Sequence, residues 1–577
     1  MSKPQPAQNL APISLLWPPA METSLSTLPP RLSEQSAADL DLDATVSALS
    51  AAHGHAREIR AILLHLCDDP AVIRYRQDVI DDLLTHPDLA QQLKDLLPQL
   101  TELHRYRFTL RPGQTPLHEV AWRVGQLEAY VECVQGLRAI FAGIDGTLRA
   151  DAWRRLRERV EDIGGDPLFQ TLVAELPDLI ARVRSIASVT IGVNLDDQLR
   201  PVEAVLLAVN KEKFRGPSSS LLAALFGGNP SESEWAGIAP LHSMPPKTAS
   251  TPFGPVGIDL DNPMMHPLFR DLANVLKQTS RPVAAALQRY VHINSRALGD
   301  LTAELAFYLG AVDLIDRLRA AGLPLCRPEI LLGEARVCTV AQTANLNLAL
   351  RLLERDPHAD LTAAIVLNDV RFDDTRRVFI LTGPNQGGKT TYTQGVGLLH
   401  VLAQAGLPVP GTAAQISPVD GIFTHFPVEE QPESGAGRLG EEAQRLGAIF
   451  AHATRRSLVL LNESLSSTSF SESLYLARDV VRILRLMGVR ALYATHLHEL
   501  AADVDALNAD PGGESAVASL VSLAAPAHDG ETIRQTYRIV AGPPRGHSYA
   551  RDIAARYGIS FDQLADLLRR RGLLHDI

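Results

Sequence analysis

Apolar residues recur every three or four positions through most of the first half of the chain. The segments "LDLDATVSALSAAHGHAREIRAILLHL", "DPAVIRYRQDVIDDLL", "HEVAWRVGQLEAYVECVQGLRAIFAGI" and "DAWRRLRERVEDI" all follow this spacing, so residues 40–215 are expected to be mainly helical. Residues 1–38 are rich in Pro, Ser and Gln and are expected to form a disordered tail. Clustered Gly, Pro and Ser over 216–262 predict a loop-rich insertion. Helical spacing returns over 266–322. Beyond about residue 325 the texture changes: the short apolar runs Val378–Thr382, Ser457–Leu461 and Val489–Thr495 alternate with helical segments. That alternation predicts a mostly parallel sheet with helices on its faces. The expected class is an α/β domain over 326–577 preceded by a mainly α-helical region over 39–325.

The chemistry sits at the ends of these apolar runs. Gly383, Pro384, Asn385, Gln386, Gly387, Gly388, Lys389 and Thr390 fit G-x-x-x-x-G-K-[ST], after a predicted strand and before a predicted helix. Backbone N–H groups of such a loop, with Thr391 in the first turn of the helix, can surround phosphate oxygens, and the positive helix end faces the same charge. Lys389 is expected to reach the β- and γ-phosphates of ATP, and the Thr390 hydroxyl to ligate Mg2+. The bland alternative is a glycine-rich turn with an incidental lysine. "SLVLLNES" ends a second run in Asn462 and Glu463. Glu463 is placed to orient or deprotonate an attacking water; otherwise it is a solvated strand-end carboxylate. Asn462 stands where an acid that helps hold Mg2+ is usual. Its amide oxygen can still accept from a metal-bound water but brings no charge, so weaker Mg2+ affinity is expected. "LYATHLHEL" places His496 at a third strand tip, within reach of a γ-phosphate. "IVLNDVRF" places Asn368 and Asp369 where a loop could touch the nucleotide base.

Taken in order, "LNDV", "TGPNQGGKTT", "LLNESLSSTS" and "YATHLHEL" resemble the P-loop, ABC-type ATPase domain of the MutS family of DNA repair proteins. The resemblance is strong over 326–577 and mostly architectural over 40–325, which is similar to a core, lever and clamp region. "DPAVIRYRQDVIDDLL" and the glutamine of "GPNQGGKT" resemble the shortened bacterial branch. The resemblance implies a homodimer with ATP held between one P-loop and a signature segment of the partner. That segment is expected within "ESGAGRLGEEAQRL", at Gly437 and Arg438, with Ser434 slightly upstream of the usual serine. Ser464–Ser469 match the loop that passes information across the dimer. "GPPRGHSYARDIAARYGISFDQLADLL" resembles the helix-turn-helix that supports dimerisation, although alone it would also read as a DNA-reading motif. No Phe-x-Glu wedge occurs before residue 40, so mismatch intercalation is not expected, and neither is the branch with a C-terminal nuclease domain.

Charge and composition narrow the partners. The net charge is −11, from 55 basic and 66 acidic residues, which disfavours a nucleic-acid-coating protein but permits a local basic lining. Candidate phosphate contacts are Lys211, Lys213 and Arg215, and Arg154, Arg155, Arg157 and Arg159. Each group also reads as a solvated helix face, and Arg569–Arg571 as a solubilising tail. Four scattered cysteines, Cys67, Cys133, Cys326 and Cys338, form no CxxC pair and suit a reducing compartment. No run spans a bilayer and no signal peptide is evident, so a cytoplasmic protein without membrane partners is expected. The leading expectation is a dimeric, Mg2+-dependent ATPase clamp on DNA, with repair proteins as further partners. The competing one is a slow, nucleotide-gated protein acting on RNA or the ribosome. A transporter ATPase lacks its LSGGQ-like signature here, and a chromosome-organising ATPase would separate Lys389 from Glu463 by a long coiled coil.

Overall fold

The computed structural model describes residues 13–19, 21, 29–106, 116–144, 148–184, 188–212, 250–251, 254–255, 283–290, 296–427, 437–526, 533–544, 558–571 and 573. The expected insertion at 216–262 lies outside these apart from 250–251 and 254–255. The main elements begin with helices α1 (Glu34–Asp39), α2 (Leu42–Ser50), α3 (Ala56–His65), α4 (Pro70–Thr85), α5 (Pro87–Arg105), α6 (Pro116–Ala142), α7 (Asp151–Gly165) and α8 (Pro167–Arg184). Strands β1 (Ser188–Leu195) and β2 (Pro201–Asn210) follow, then α9 (Arg296–Ala320), β3 (Cys338–Thr343), α10 (Leu346–Arg355), β4 (Asn368–Phe372), β5 (Arg376–Thr382) and α11 (Lys389–Gln404). The chain continues through β6 (Ala413–Ile416), β7 (Ile422–His425), α12 (Gly437–His452), β8 (Leu458–Asn462), α13 (Phe470–Met487), β9 (Arg490–Ala494), β10 (Ala516–Pro526), β11 (Ile533–Ala541) and α14 (Phe561–Arg570).

Two compact units divide these elements. One holds the described residues of 98–143 and 157–300; the other holds those of 11–97, 144–156 and 301–577. In the first unit, Tyr130 of α6 meets Phe169 of α8 edge-on, with ring centroids 6.0 Å apart. Strands β1 and β2 pair antiparallel from Ser188↔Asn210 to Leu195↔Pro201. This hairpin interrupts the region 40–215 that is expected to be mainly helical. Its alternation in "SVTIGVNL" is a period-two signal, but it is short and lies close behind a long helical stretch. Leu195, Leu199, Val202 and Leu207 are exposed, so the hairpin's apolar residues do not mark a core.

The second unit is built on a six-stranded sheet of order β7-β8-β9-β5-β10-β11, parallel except for the last pair. Strands β8 and β9 are buried at every residue, and β5 at all but its first. Continuous apolar runs are what a parallel sheet covered on both faces requires. On one face Val378, Ile380, Val459, Leu461, Ala491 and Tyr493 pack against Ala477, Val481 and Leu484 of α13. On the other, Gly397 lets α11 come so close to Leu460 and Leu40 that a Cβ would collide with both side chains. Gly310 likewise lets α9 touch the Leu49 carbonyl of α2. These close approaches carry the first helices and most of α9 into the sheet's unit. Among the described residues no helix is long and apolar enough to cross a membrane, and all four cysteines are unpaired.

Within the expected N-terminal tail, residues 14–17 are firmly docked in this unit. Leu15, Leu16 and Trp17 are buried. The Leu15 N–H donates to Glu304 Oε2 at 2.6 Å and the Ser14 hydroxyl to Glu304 Oε1 at 2.8 Å. Tyr75 and Tyr308 donate to the carbonyls of Ser14 and Leu15, and Arg76 donates to that of Leu16 while lying 4.4 Å from the Trp17 ring centroid. "ISLLW" carries too little sequence to advertise a packed segment; its partners lie far along the chain. Burial pushes the Glu304 carboxyl up to about 7, against these hydrogen bonds and the Arg76 charge. Between its ordinary value near 4.5 and about 7, the folded chain keeps a proton that the unfolded chain gives up. Stability must therefore fall as pH rises through that window, by roughly 3 kcal/mol in all. Glu304→Gln keeps an acceptor for the Leu15 N–H and does not titrate, which removes the slope. The expected result is a thermal midpoint above wild type at pH 8 and an advantage that shrinks or vanishes at pH 5. A pH-independent offset would refute the assignment.

Candidate functional site

Parallel pairing aligns the carboxyl ends of three strands. Asn462 of β8 sits opposite Ala494 of β9, and Ala494 opposite Leu381 of β5. The residues that follow therefore emerge side by side: the glycine loop after β5, Glu463 after β8, and His496 after β9. The Glu463 N–H donates to the Ala494 carbonyl at 2.8 Å and the Thr495 N–H to that of Leu381 at 2.9 Å, extending the ladder to the rim.

The loop is shaped by backbone freedom at its ends. Gly383 has φ +143°, and a Cβ there would lie 2.8 Å from Ser522 Cβ and 2.9 Å from the Ser522 carbonyl oxygen. Gly388, with φ +84°, is the left-handed residue that opens α11. Gln386 adopts φ +61° between Asn385 and Gly387. The Gly387 N–H closes a turn onto the Pro384 carbonyl at 3.1 Å, and the Ser522 hydroxyl holds the Gly387 carbonyl at 2.6 Å. Thr391 contributes its carbonyl to the Asn345 amide at 2.7 Å.

Lys389 is almost fully buried. Its ammonium donates to the carbonyls of Gly383 at 3.1 Å and Pro384 at 3.3 Å, and lies 3.5 Å from Glu463 Oε1. The other Glu463 oxygen accepts from the His496 N–H at 3.2 Å and pairs with His496 Nδ1 at 2.7 Å. Burial pushes Glu463 up, but the hydrogen bond from His496 and the Lys389 charge outweigh it and hold the carboxyl below its ordinary range. The same hydrogen bond raises the His496 imidazole against its partial burial. A carboxylate held down by a neighbouring ammonium and a donating imidazole stays ionised at neutral pH. Thr390 Oγ1 donates to Asn462 Oδ1 at 3.1 Å. Both are hard oxygen donors of the kind Mg2+ takes, and neither is charged. No group of three or more His, Cys, Asp or Glu residues among the described ones could hold a metal. The donor set thus fits an ion that draws most of its ligands from phosphate and water.

A cleft of about 590 Å³ opens over the loop, floored by Asn385 to Thr391 and reached by Glu463. Its far wall is apolar, from Leu348, Leu352, Ile365, Val366 and Ile539, with Tyr537 half exposed at its edge and at φ +56°. Asn368 lines the same cleft, but its amide donates to the Tyr537 carbonyl at 3.0 Å and accepts from the Ile539 N–H at 2.7 Å. Its side chain thus ties β4 to β11. Sequence reasoning missed Tyr537, Ser522 and Asn345, none of which belongs to a local motif.

Gly437 opens α12 with φ +67°. Residues 433–436, including Ser434, and the Arg438 side chain lie outside the described residues, as do residues 545–557 of the helix-turn-helix segment. Lys213 and Arg215 are outside them as well. Arg154 pairs with Asp151 and Arg157 with Glu161 on their own helix, and Arg569 with Asp566.

A glycine loop between strand and helix, with acid and histidine at neighbouring strand ends, is the build of α/β proteins that bind phosphate at the carboxyl edge of a parallel sheet. Comparison with known proteins specifies which. A family profile described as MutS domain V matches residues 379–560, and one described as MutS2 N-terminal domain matches 68–321. The chain belongs to the MutS family. It is 32% identical over 299 residues to the DNA mismatch repair protein MutS 1 of Halobacterium salinarum, covering 52% of this chain and 31% of that one. It is 40% identical over 155 residues to MutS 2 of the same organism, covering 26% and 18%. The DNA mismatch repair protein MutS of Chlorobium limicola is 39% identical over 151 residues, covering 26% and 17%. The chain thus spans less than a third of the length of these relatives.

Proposed function

We propose that this chain is a P-loop ATPase of the MutS type that acts on DNA in mismatch or recombination-related repair, as a homodimer in the cytoplasm. The observation that carries the reading is the meeting of Lys389, Thr390, Asn462, Glu463 and His496 at one rim, beside a cleft large enough for a nucleotide. Loop N–H groups from Asn385 to Thr391 and the start of α11 would surround the phosphates of ATP. Lys389 would exchange its loop carbonyls for phosphate oxygens. The apolar wall and Tyr537 suit an adenine ring.

Thr390 and Asn462 would hold Mg2+, which when bound neutralises charge on the phosphates. Glu463, ionised and aimed by His496, would orient and deprotonate the attacking water. The uncharged Asn462 supports modest Mg2+ affinity and slow turnover. That same residue favours the second reading, a nucleotide-gated protein acting on RNA or the ribosome.

Steady-state ATP hydrolysis separates the two. The rate is measured alone, then with plain duplex, mismatched duplex, branched DNA and structured RNA. Stimulation by DNA is expected, with the best stimulator indicating the substrate class. A response to RNA alone would transfer the assignment to the second reading.

A further inference from the structure

Glu463 stands on an improbable piece of backbone. It has φ +49°, and Leu465 two residues on has φ +62°. Left-handed conformations crowd the Cβ of any L-residue and persist only where the surroundings hold them. The residue between them, Ser464, is held from several sides. The Tyr493 hydroxyl donates to the Ser464 carbonyl at 2.8 Å, and the Ser473 hydroxyl to the Leu465 carbonyl at 2.6 Å. The Ser464 hydroxyl donates to the carbonyl of His425 at 3.1 Å, and its oxygen lies 2.7 Å from His425 Nδ1. The ring contact is the shorter of the two, and its direction follows the imidazole tautomer; in either tautomer Nδ1 and Ser464 Oγ form a hydrogen bond. Both side chains are buried. His425 ends β7, the edge strand beside β8, with Leu461 as its register partner.

We propose that His425 is a positioning residue: its Nδ1, hydrogen-bonded to Ser464, locks the left-handed turn that aims Glu463 at the glycine loop. The proposal rests on the reading of Glu463 as the hydrolytic carboxylate. A carboxylate displaced by about 1 Å can cost on the order of 100-fold in rate, while the phosphate-binding groups stay where they are. The role is therefore visible as a split between turnover and affinity.

The test compares wild type, His425→Leu, His425→Asn, Ser464→Ala and Glu463→Gln. Each is assayed for single-turnover ATP hydrolysis, affinity for a non-hydrolysable ATP analogue, and thermal midpoint. His425→Leu is expected to lower the rate at least tenfold with analogue affinity within about threefold of wild type. An asparagine amide carries both a donor and an acceptor close to where Nδ1 stands, so His425→Asn should recover most of the rate. Adding His425→Leu to Glu463→Gln should cost nothing further. A folded His425→Leu that turns over like wild type would overturn the proposal. So would an equal loss of rate and affinity without recovery by asparagine, which marks a structural role only. If His425→Leu does not fold, Ser464→Ala removes the same bond with a smaller change, and the same outcomes apply. A wild type without ATP hydrolysis, or a Glu463→Gln variant as fast as wild type, would instead defeat the underlying reading of Glu463.

Discussion

Glu463→Gln is expected to lower ATP turnover by about 100- to 10,000-fold, the usual contribution of a positioned general base. Nucleotide affinity should stay within a few-fold of wild type or rise. The substitution is nearly isosteric, and the glutamine oxygen can still accept from the His496 N–H, so the turn is preserved. What disappears is the negative charge now lying 3.5 Å from the Lys389 ammonium. Removing it deprives the attacking water of a proton acceptor. It also frees Lys389 from a competing anion, which favours phosphate. Single-turnover hydrolysis and titration with a fluorescent ATP analogue check the two halves separately. Loss of binding together with loss of rate would mean that Glu463 shapes the pocket and does not act on the water.

Lys389→Ala should give the opposite pattern, a loss of nucleotide affinity of roughly 100-fold or more, from charge-assisted bonds worth about 1.5–3 kcal/mol each. The same side chain satisfies the Gly383 and Pro384 carbonyls and pairs with Glu463. Its removal therefore leaves two loop carbonyls unpaired and a partly buried carboxylate with His496 as its remaining partner. The Glu463 carboxyl is then expected to titrate higher, since Lys389 is one of the groups holding it down. Lys389→Arg should rescue poorly, because a planar fork cannot occupy the narrow site of a single ammonium. Isothermal titration with the analogue measures the affinity, and an unchanged value would remove the phosphates from this loop. Together the two variants separate binding from chemistry, which a single inactive variant cannot do.

Much of the candidate site is legible in the sequence because it is written in short contiguous pieces. Each piece joins an apolar run to the polar residues at its end, and a parallel sheet brings strand ends to one edge. Lys389, Thr390, Asn462, Glu463 and His496 were all identifiable on that ground. Asn368 shows where the logic weakens. Its position at the cleft was legible, but its amide is taken up by Tyr537 and Ile539, more than 160 residues away in sequence. The β1–β2 hairpin was hidden because its alternation is brief and its apolar residues lie in the open.

By itself the sequence determined the local chemistry: a glycine loop that only left-handed backbone allows, and apolar runs that demand a covered parallel sheet. Tertiary structure alone decided what supports that chemistry. Ser522 braces the loop from 135 residues away, and His425 reaches Ser464 across 39. Glu304 captures the backbone of Leu15 across 289. No local pattern encodes such pairs, because each is chosen by burial: a polar group carried into the core must find a partner wherever the fold supplies one.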